Sequence, residues 1–161
     1  MKQILSLLFL FFVSNANAQS TASKQVSTFI IEAPQLKTSK KIWVYLPKSY
    51  ATSTKKYSVI YMHDAQNLFD AKTSYTGEWN VDETLDSINA QVIVIGIEHG
   101  GDKRIDELTP YKNAKYGGGK ADDYLDFIVK TLKPKVDATY RTKTQFFGGF
   151  CNFDCTSAFV K

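Results

Sequence analysis

The sequence predicts an α/β fold with a mainly parallel sheet, and three observations support this prediction. Short apolar runs at 57–62, 91–97 and 144–147 are rich in Val, Ile and aromatic residues, which is typical of strands buried on both faces. Segments with helical spacing of apolar residues alternate with these runs, at 80–89 and 121–132. Such alternation of strands and helices is typical of a sheet covered by helices.

Two further strand-like segments, 27–33 and 40–46, come before the first buried run. In the second of them, Trp43 and Tyr45 alternate with Val44 and Leu46, which is the period of a strand, and a proline ends the run. We expect these two segments to be antiparallel neighbours at an edge of the sheet.

The two predicted helices have recognisable ends. Asn80 can cap the first helix through its side chain, and Glu83 stands three residues later, as in a capping box. The second helix is predicted to end before Pro134, because proline rarely continues a helix. The apolar face of this second helix comprises Tyr124, Phe127, Ile128, Thr131 and Leu132.

The first eighteen residues have the pattern of a secretory signal peptide. Lys2 gives a positive start, residues 4–13 are apolar, and Ala16-Asn17-Ala18 is a small-residue cleavage site. The apolar run is too short to span a membrane, and no later run approaches spanning length. We therefore expect an exported protein, periplasmic or extracellular, in which residues 19–26 form a disordered linker.

Composition restricts the possible partners. The 161 residues, 43% of them hydrophobic, suit one globular domain, and the net charge of +4 comes from lysines scattered among acidic residues. This scatter indicates no nucleic-acid partner.

Cys151 and Cys155 are four residues apart and predict two thiols rather than a disulfide. With His63 and His99 they offer too few ligands for a zinc site, so we expect no metal and no cofactor.

Three loops should leave the carboxyl ends of the buried strands, at 63–79, 98–120 and 148–153. Ligands of open α/β sheets bind at that edge. The last loop contains Gly149-Phe150-Cys151-Asn152-Phe153, in the register of the G-x-S-x-G nucleophile elbow. Cys151 holds the nucleophile position, and Phe153 replaces the second glycine, where a large side chain should open the tight turn.

Longer motifs carry a family resemblance. The segments YMHDAQNLFD, SYTGEWNVDETLD, VIGIEHGGDKRIDELTPY and GGGKADDYLDFIVKTLKP resemble the secreted putative-esterase family of α/β-hydrolases, which includes esterase-D-like, enterochelin-esterase-like and feruloyl-esterase-like enzymes. The resemblance implies that residues 27–161 are the N-terminal part of an α/β-hydrolase domain, ending just after the elbow. It also implies a serine esterase whose triad follows the order Ser, acid, His.

The resemblance further implies roles for individual residues. The backbone N–H groups of Gln66 and Asn152 should form the oxyanion hole, each worth roughly 3–4 kcal/mol. Ala65 stands where the family usually has glycine. Asp64, Glu78 and Trp79 are the candidate substrate contacts.

Other polar residues of the loops receive structural roles. His63 is expected to hydrogen-bond and shape the oxyanion loop rather than to act as the base. Arg104 and Glu107 are expected to form an ion pair that orders their loop.

These expectations combine into one predicted function: a secreted carboxylic ester hydrolase with an acyl-enzyme mechanism, acting on a small-molecule or acylated carbohydrate ester. We expect little or no activity from this sequence. Cys151 holds the nucleophile position, Phe153 replaces a glycine of the elbow, and the family places the acid and the His of its triad beyond Lys161. One alternative is a non-catalytic truncated or decayed fragment. Another is a thiol or redox protein, supported only by the spacing of Cys151 and Cys155.

Overall fold

The computed structural model describes residues 19–143, and four strands in this range form one mixed sheet. The sheet order is β1-β2-β4-β3. The strands are β1 (Val26–Ala33), β2 (Thr38–Tyr45), β3 (Ser58–His63) and β4 (Val92–Ile97). β2 is antiparallel to both β1 and β4, whereas β3 and β4 are parallel.

The predicted α/β class and the antiparallel pair at the edge of the sheet are confirmed. Between residues 19 and 143 the sheet is mixed rather than mainly parallel. The strand predicted at 144–147 lies outside the described residues. Just before it, Tyr57 and Thr142 form a parallel bridge, in which the Tyr57 N–H donates to Arg141 O at 2.8 Å and the Lys143 N–H donates to Tyr57 O at 2.9 Å.

The α-helices of the described chain all follow β3. They are α1 (Val81–Ser87), α2 (Arg104–Leu108), α3 (Ala121–Phe127) and α4 (Lys133–Thr139), with a π-helical turn (Ile128–Leu132) joining α3 to α4. No helix within residues 19–143 is long and apolar enough to cross a membrane.

The helix predicted at 121–132 is confirmed, but its predicted end at Pro134 is wrong. The helical path continues through the π-helical turn and α4 to Thr139. Pro134 lies in the first turn of α4, where the missing N–H costs least. The wide π-helical turn comes immediately before it, so the hydrogen-bonding register has already shifted when the proline is reached.

The predicted side-chain cap at Asn80 is also wrong, although α1 lies where expected. Asn80 adopts a left-handed conformation with φ 50° and makes no side-chain cap hydrogen bond. Asparagine tolerates this conformation better than most residues. Its carbonyl oxygen instead accepts from the N–H and the hydroxyl of Thr84, at 3.1 and 2.7 Å.

Two hydrophobic clusters cover the two faces of the sheet, because successive strand side chains point to opposite faces. The larger cluster packs α3, the π-helical turn and α4 against residues such as Ile42, Val44, Ile93, Ile95 and Ile97. The smaller one contains Trp43, Tyr45, Ala65, Leu68, Phe69 and Val94. β4 contributes to both clusters, as its continuous apolar run predicts.

Residues 20–23 lie against the loop that follows β3, whereas the sequence predicted a disordered linker at 19–26. The Ser20 hydroxyl donates to Asp70 at 2.7 Å, the Thr21 hydroxyl donates to Glu78 at 2.9 Å, and the Ser23 N–H donates to Asp82 at 2.7 Å. Acceptors far along the chain supply these bonds, so the polar composition of this segment did not reveal them.

Candidate active site

The candidate site lies at the carboxyl ends of β3 and β4. His63 and Ile97, the last residues of these parallel strands, are register partners. The loops that begin after them therefore start from the same edge of the sheet. These are two of the three loops predicted to form the site, and the third, 148–153, lies outside the described residues.

A tight turn follows β3. Asp64 is left-handed, with φ 54°, and leads into a 3-10 turn at Ala65–Asn67. The N–H groups of Asn67 and Leu68 form the bonds of this turn, to Asp64 O at 2.9 Å and Ala65 O at 3.2 Å. The Gln66 N–H is not used by these two bonds, as is usual for the first amides of a helical turn. The oxyanion-hole role of the Gln66 N–H stays a prediction.

Gly96 allows this turn to pack closely on the sheet. A Cβ atom added at Gly96 would lie 2.8 Å from Ala65 Cβ, 3.2 Å from Leu68 Cδ1 and 3.3 Å from Phe69 Cε2. A glycine inside a strand often marks such a close approach. The sequence therefore contained a signal for this contact, in the run from Val92 to Ile97, which sequence reasoning did not use.

Arg104 holds the first residue of the turn. Its Nε and Nη2 donate to the two carboxylate oxygens of Asp64, each at 2.8 Å. Asp64 is buried and Arg104 is partly exposed. Burial acts to raise the pKa of Asp64, but the hydrogen bonds and charge of Arg104 outweigh it and hold that pKa below its ordinary value.

The predicted ion pair between Arg104 and Glu107 does not form, because each residue has another partner. Glu107 pairs with Lys40 of β2, whose Nζ lies 2.7 and 2.6 Å from the two carboxylate oxygens. Both residues are only 3% exposed. Glu107 also accepts from the Gly100 N–H at 3.1 Å, so the pair fastens the loop after β4 to the sheet.

Sequence reasoning missed Lys40 entirely. By the two-residue period of a strand, Lys40 lies on the same face of β2 as Ile42 and Val44, which are fully buried. A lysine in that position requires a buried partner, so the alternation did carry a signal. Nothing in the local sequence, however, identified Glu107 as the partner.

His63 is buried beneath the site and bonded to α3. Its Nδ1 lies 2.8 Å from the Tyr124 hydroxyl. Burial lowers the pKa of His63 to about 4, with the charges of Asp64 and Arg104 acting in opposite directions. The imidazole is therefore neutral at physiological pH. This contact agrees with the expected shaping role, and the sequence had predicted the burial of Tyr124 but not its bond to His63.

Similarity to known proteins identifies the family. The family model described as "Putative esterase" matches residues 33–148. The chain belongs to this family. The comparison with curated proteins gave no match.

Solved structures with a similar fold include an IroE-like serine hydrolase from Shewanella oneidensis, with a TM-score of 0.59, 25% identity, and coverage of 73% of this chain and 39% of that one. A BES protein from Bacillus cereus has a TM-score of 0.61 and 20% identity, and the match covers 77% of this chain and 50% of that one. A siderophore hydrolase, EstB, from Aspergillus nidulans has a TM-score of 0.59 and 19% identity, and the match covers 80% of this chain and 48% of that one. The chain thus spans half or less of the length of these three proteins.

The predicted site residues of this putative esterase family member occupy different surroundings. Asp64 and Gln66 lie together in the turn after β3. The Trp79 side chain is 46% exposed. Its backbone N–H donates to Asn67 O at 2.8 Å, which attaches Trp79 to the same turn. Glu78 accepts from the Thr21 hydroxyl instead. Cys151 and Asn152 lie outside the described residues.

Two further groups of polar side chains lie near these loops. The Nδ1 atom of His99 accepts from the Gly101 N–H at 2.8 Å, within the loop after β4. Among the described residues, Glu78, Asp82 and Glu83 place ligand atoms within 4.8 Å of one another, close enough for one metal ion.

Proposed function

We propose that this chain supplies the oxyanion-binding part of a carboxylic ester hydrolase that works through an acyl-enzyme. The observation that carries the proposal is the turn Ala65–Asn67, fixed at the carboxyl end of β3 in a chain of the putative esterase family. Arg104 holds the start of this turn, and Gly96 lets it pack against β4. A rigidly held amide is what an oxyanion hole requires, since it needs no reorganisation during the reaction.

The proposed chemistry follows from the roles that the family resemblance implies for Cys151, Gln66 and Asn152. The Cys151 thiolate attacks the ester carbonyl carbon, and the carbonyl oxygen becomes an oxyanion that accepts hydrogen bonds from the N–H groups of Gln66 and Asn152. Collapse of this intermediate expels the alcohol, which takes up a proton, and leaves a thioester. Water then hydrolyses the thioester and frees the acid and the thiol. Each amide donor contributes roughly 3–4 kcal/mol to the charged intermediate.

The proposed substrate is a small-molecule or acylated carbohydrate ester. Structures of similar fold include a siderophore hydrolase and an enterobactin esterase, so a siderophore-like ester belongs to the same class. Trp79, about half exposed and attached to the turn, offers an aromatic surface for the acyl group or the alcohol. Asp64 and Glu78 are the proposed polar contacts, with Asp64 also setting the geometry of the turn through Arg104.

We further propose that the printed elbow gives little turnover and that the protein is exported, to the periplasm or beyond. Phe153 stands two residues after Cys151, where a glycine would let helix and strand approach. Residues 1–18 have the pattern of a signal peptide.

The test uses p-nitrophenyl acetate with the purified chain and with the Cys151→Ala and Cys155→Ala variants. We expect slow steady turnover, with acetylation of Cys151 about tenfold or more faster than of Cys155 by intact-protein mass spectrometry. Cys155 is the matched control because it is a second thiol of the same chain.

Each outcome decides one part of the proposal. Robust turnover that Cys151→Ala abolishes would support an ester hydrolase and overturn the low activity. Equal acetylation of both cysteines, at the rate of free cysteine, would overturn the catalytic proposal and favour a non-catalytic fragment. A fragment would also elute as an aggregate and melt without cooperativity, because an incomplete sheet exposes an unpaired edge.

A further inference from the structure

Three carboxylates meet where the loop after β3 enters α1. Glu78, Asp82 and Glu83, here called the α1 acidic cluster, have ligand atoms within 4.8 Å of one another. None of the ion pairs formed between described residues involves these three carboxylates. Acidic residues in the first turn of a helix are common, because they complement its dipole. Their proximity alone is therefore no evidence of a ligand.

The burial of Asp82 is a second observation, independent of the proximity. Its side chain is fully buried, and its Oδ1 accepts no hydrogen bond from any residue between 19 and 143. Its other oxygen, Oδ2, accepts from the Ser23 N–H at 2.7 Å. Glu78 repeats the arrangement: Oε2 accepts from the Thr21 hydroxyl, while Oε1 is buried without a hydrogen-bond partner in the described chain.

A buried carboxylate oxygen without a donor is costly unless a cation or a proton compensates it. Here two such oxygens belong to neighbouring members of the same cluster.

We propose that the α1 acidic cluster binds a divalent metal ion that prefers oxygen ligands, and that this ion is Ca²⁺. All the donors are carboxylate oxygens, which suit hard cations rather than Zn²⁺ or Cu⁺. Three negative charges with no paired cation in the described chain favour a doubly charged ion. Ca²⁺ tolerates irregular geometry and completes its shell with water, whereas Mg²⁺ demands a near-octahedral site.

The ion would hold the N-terminal segment to the start of α1. Thr21 and Ser23 are hydrogen-bonded to two of the proposed ligands, Glu78 and Asp82. Binding would therefore stabilise the junction of this segment, the loop after β3 and α1. The proposal does not depend on ester hydrolysis, and it predicts a structural ion rather than a catalytic one.

The test uses Tb³⁺ as a luminescent substitute for Ca²⁺, with the purified full chain first treated with EDTA and dialysed. Trp79 is adjacent to Glu78 and can transfer excitation to an ion bound there. We expect Tb³⁺ emission to saturate and Ca²⁺ to displace it at roughly 0.1–1 mM, as in weak extracellular calcium sites. We also expect 10 mM Ca²⁺ to raise Tm by on the order of 5 °C.

Variants of the cluster distinguish a bound ion from a proton shared between the carboxylates. Glu83 is exposed, so Glu83→Gln should fold and should weaken binding about tenfold, and Asp82→Asn should abolish it. Asp123→Asn is the matched control, since Asp123 is an exposed acid in the first turn of α3. This control should bind Tb³⁺ like the parent chain.

The contrary results are equally specific. Tb³⁺ emission that Ca²⁺ does not displace, or equal binding by Glu83→Gln and the parent, would overturn the proposal. A Tm that rises from pH 7 to pH 5 without any response to Ca²⁺ would also overturn it, because Asp82 and Glu83 would then share a proton. Glu83→Gln decides the question if Asp82→Asn does not fold.

Discussion

Arg104 binds Asp64 with two parallel hydrogen bonds of 2.8 Å, at the residue where the chain turns left-handed after β3. Paired bonds of this kind fix orientation as well as distance. The loop after β4 thereby controls the shape of the loop after β3. The proposed donor at Gln66 lies two residues beyond Asp64, so its direction depends on this contact.

Loss of the Arg104 contact should loosen the turn. We expect Arg104→Gln to increase hydrogen exchange of the Asn67 and Leu68 amides about tenfold, and to lower stability by only about 1 kcal/mol, because Arg104 is partly exposed. Lys103→Gln is the matched control, since Lys103 is an exposed cation one residue earlier. Unchanged exchange in Arg104→Gln would show that the turn is held without this pair.

The buried pair of Lys40 and Glu107 should be costly to break. We expect Lys40→Met or Glu107→Gln to lower the free energy of unfolding by about 3–5 kcal/mol, since each change leaves an uncompensated buried group. The double variant should lose less than the sum of the two. Urea denaturation provides the measurement.

The neighbouring pair of Lys41 and Glu98 provides a control for that experiment. It has a similar separation of 3.0 Å but is 37% and 27% exposed. Lys41→Met should therefore cost less than about 1 kcal/mol. Equal losses at Lys40 and Lys41 would contradict the role given to burial.

A methyl group at position 96 should displace the turn after β3. Gly96→Ala would place its Cβ 2.8 Å from Ala65 Cβ, and we expect a loss of about 1–3 kcal/mol, as is usual for overpacked sites. Ala65→Gly in the same chain should recover part of that loss by removing the opposing Cβ. If the two changes are simply additive in urea denaturation, the close contact does not limit this position.

Acid should destabilise the protein through His63. Burial lowers its pKa from 6.5 to about 4, so the unfolded chain binds this proton more readily than the folded one. The free energy of unfolding is therefore unaffected by protonation of His63 above pH 6.5. It falls by up to roughly 3 kcal/mol as the pH drops towards 4. Within residues 19–143, the polar groups near the ring include Tyr124, Asp64 and Arg104.

Urea denaturation at several pH values between 4 and 7 measures this effect. His63→Gln should flatten the pH dependence in that window. Protonation of Asp64 acts at lower pH, because its folded pKa lies below the ordinary value. An identical slope in the His63→Gln variant would contradict the lowered pKa of this histidine.

The sequence by itself determined the strands β1 to β4, the positions of α1 and α3, and the family. These features depend on local apolar periodicity and on long motifs, which are properties of the sequence and do not require knowledge of tertiary contacts. The same patterns predicted that the loops after β3 and β4 would form the site, because parallel neighbours end at one edge.

Only the tertiary structure decided which charged groups pair. Asp64 and Arg104 are 40 residues apart, and Lys40 and Glu107 are 67 apart, so proximity in sequence favoured the wrong pair. The local rules also failed at Asn80, which is left-handed, and at Pro134, which follows a π-helical turn. Buried charges pair with the partners that the folded chain brings within reach, and no local pattern records that distance.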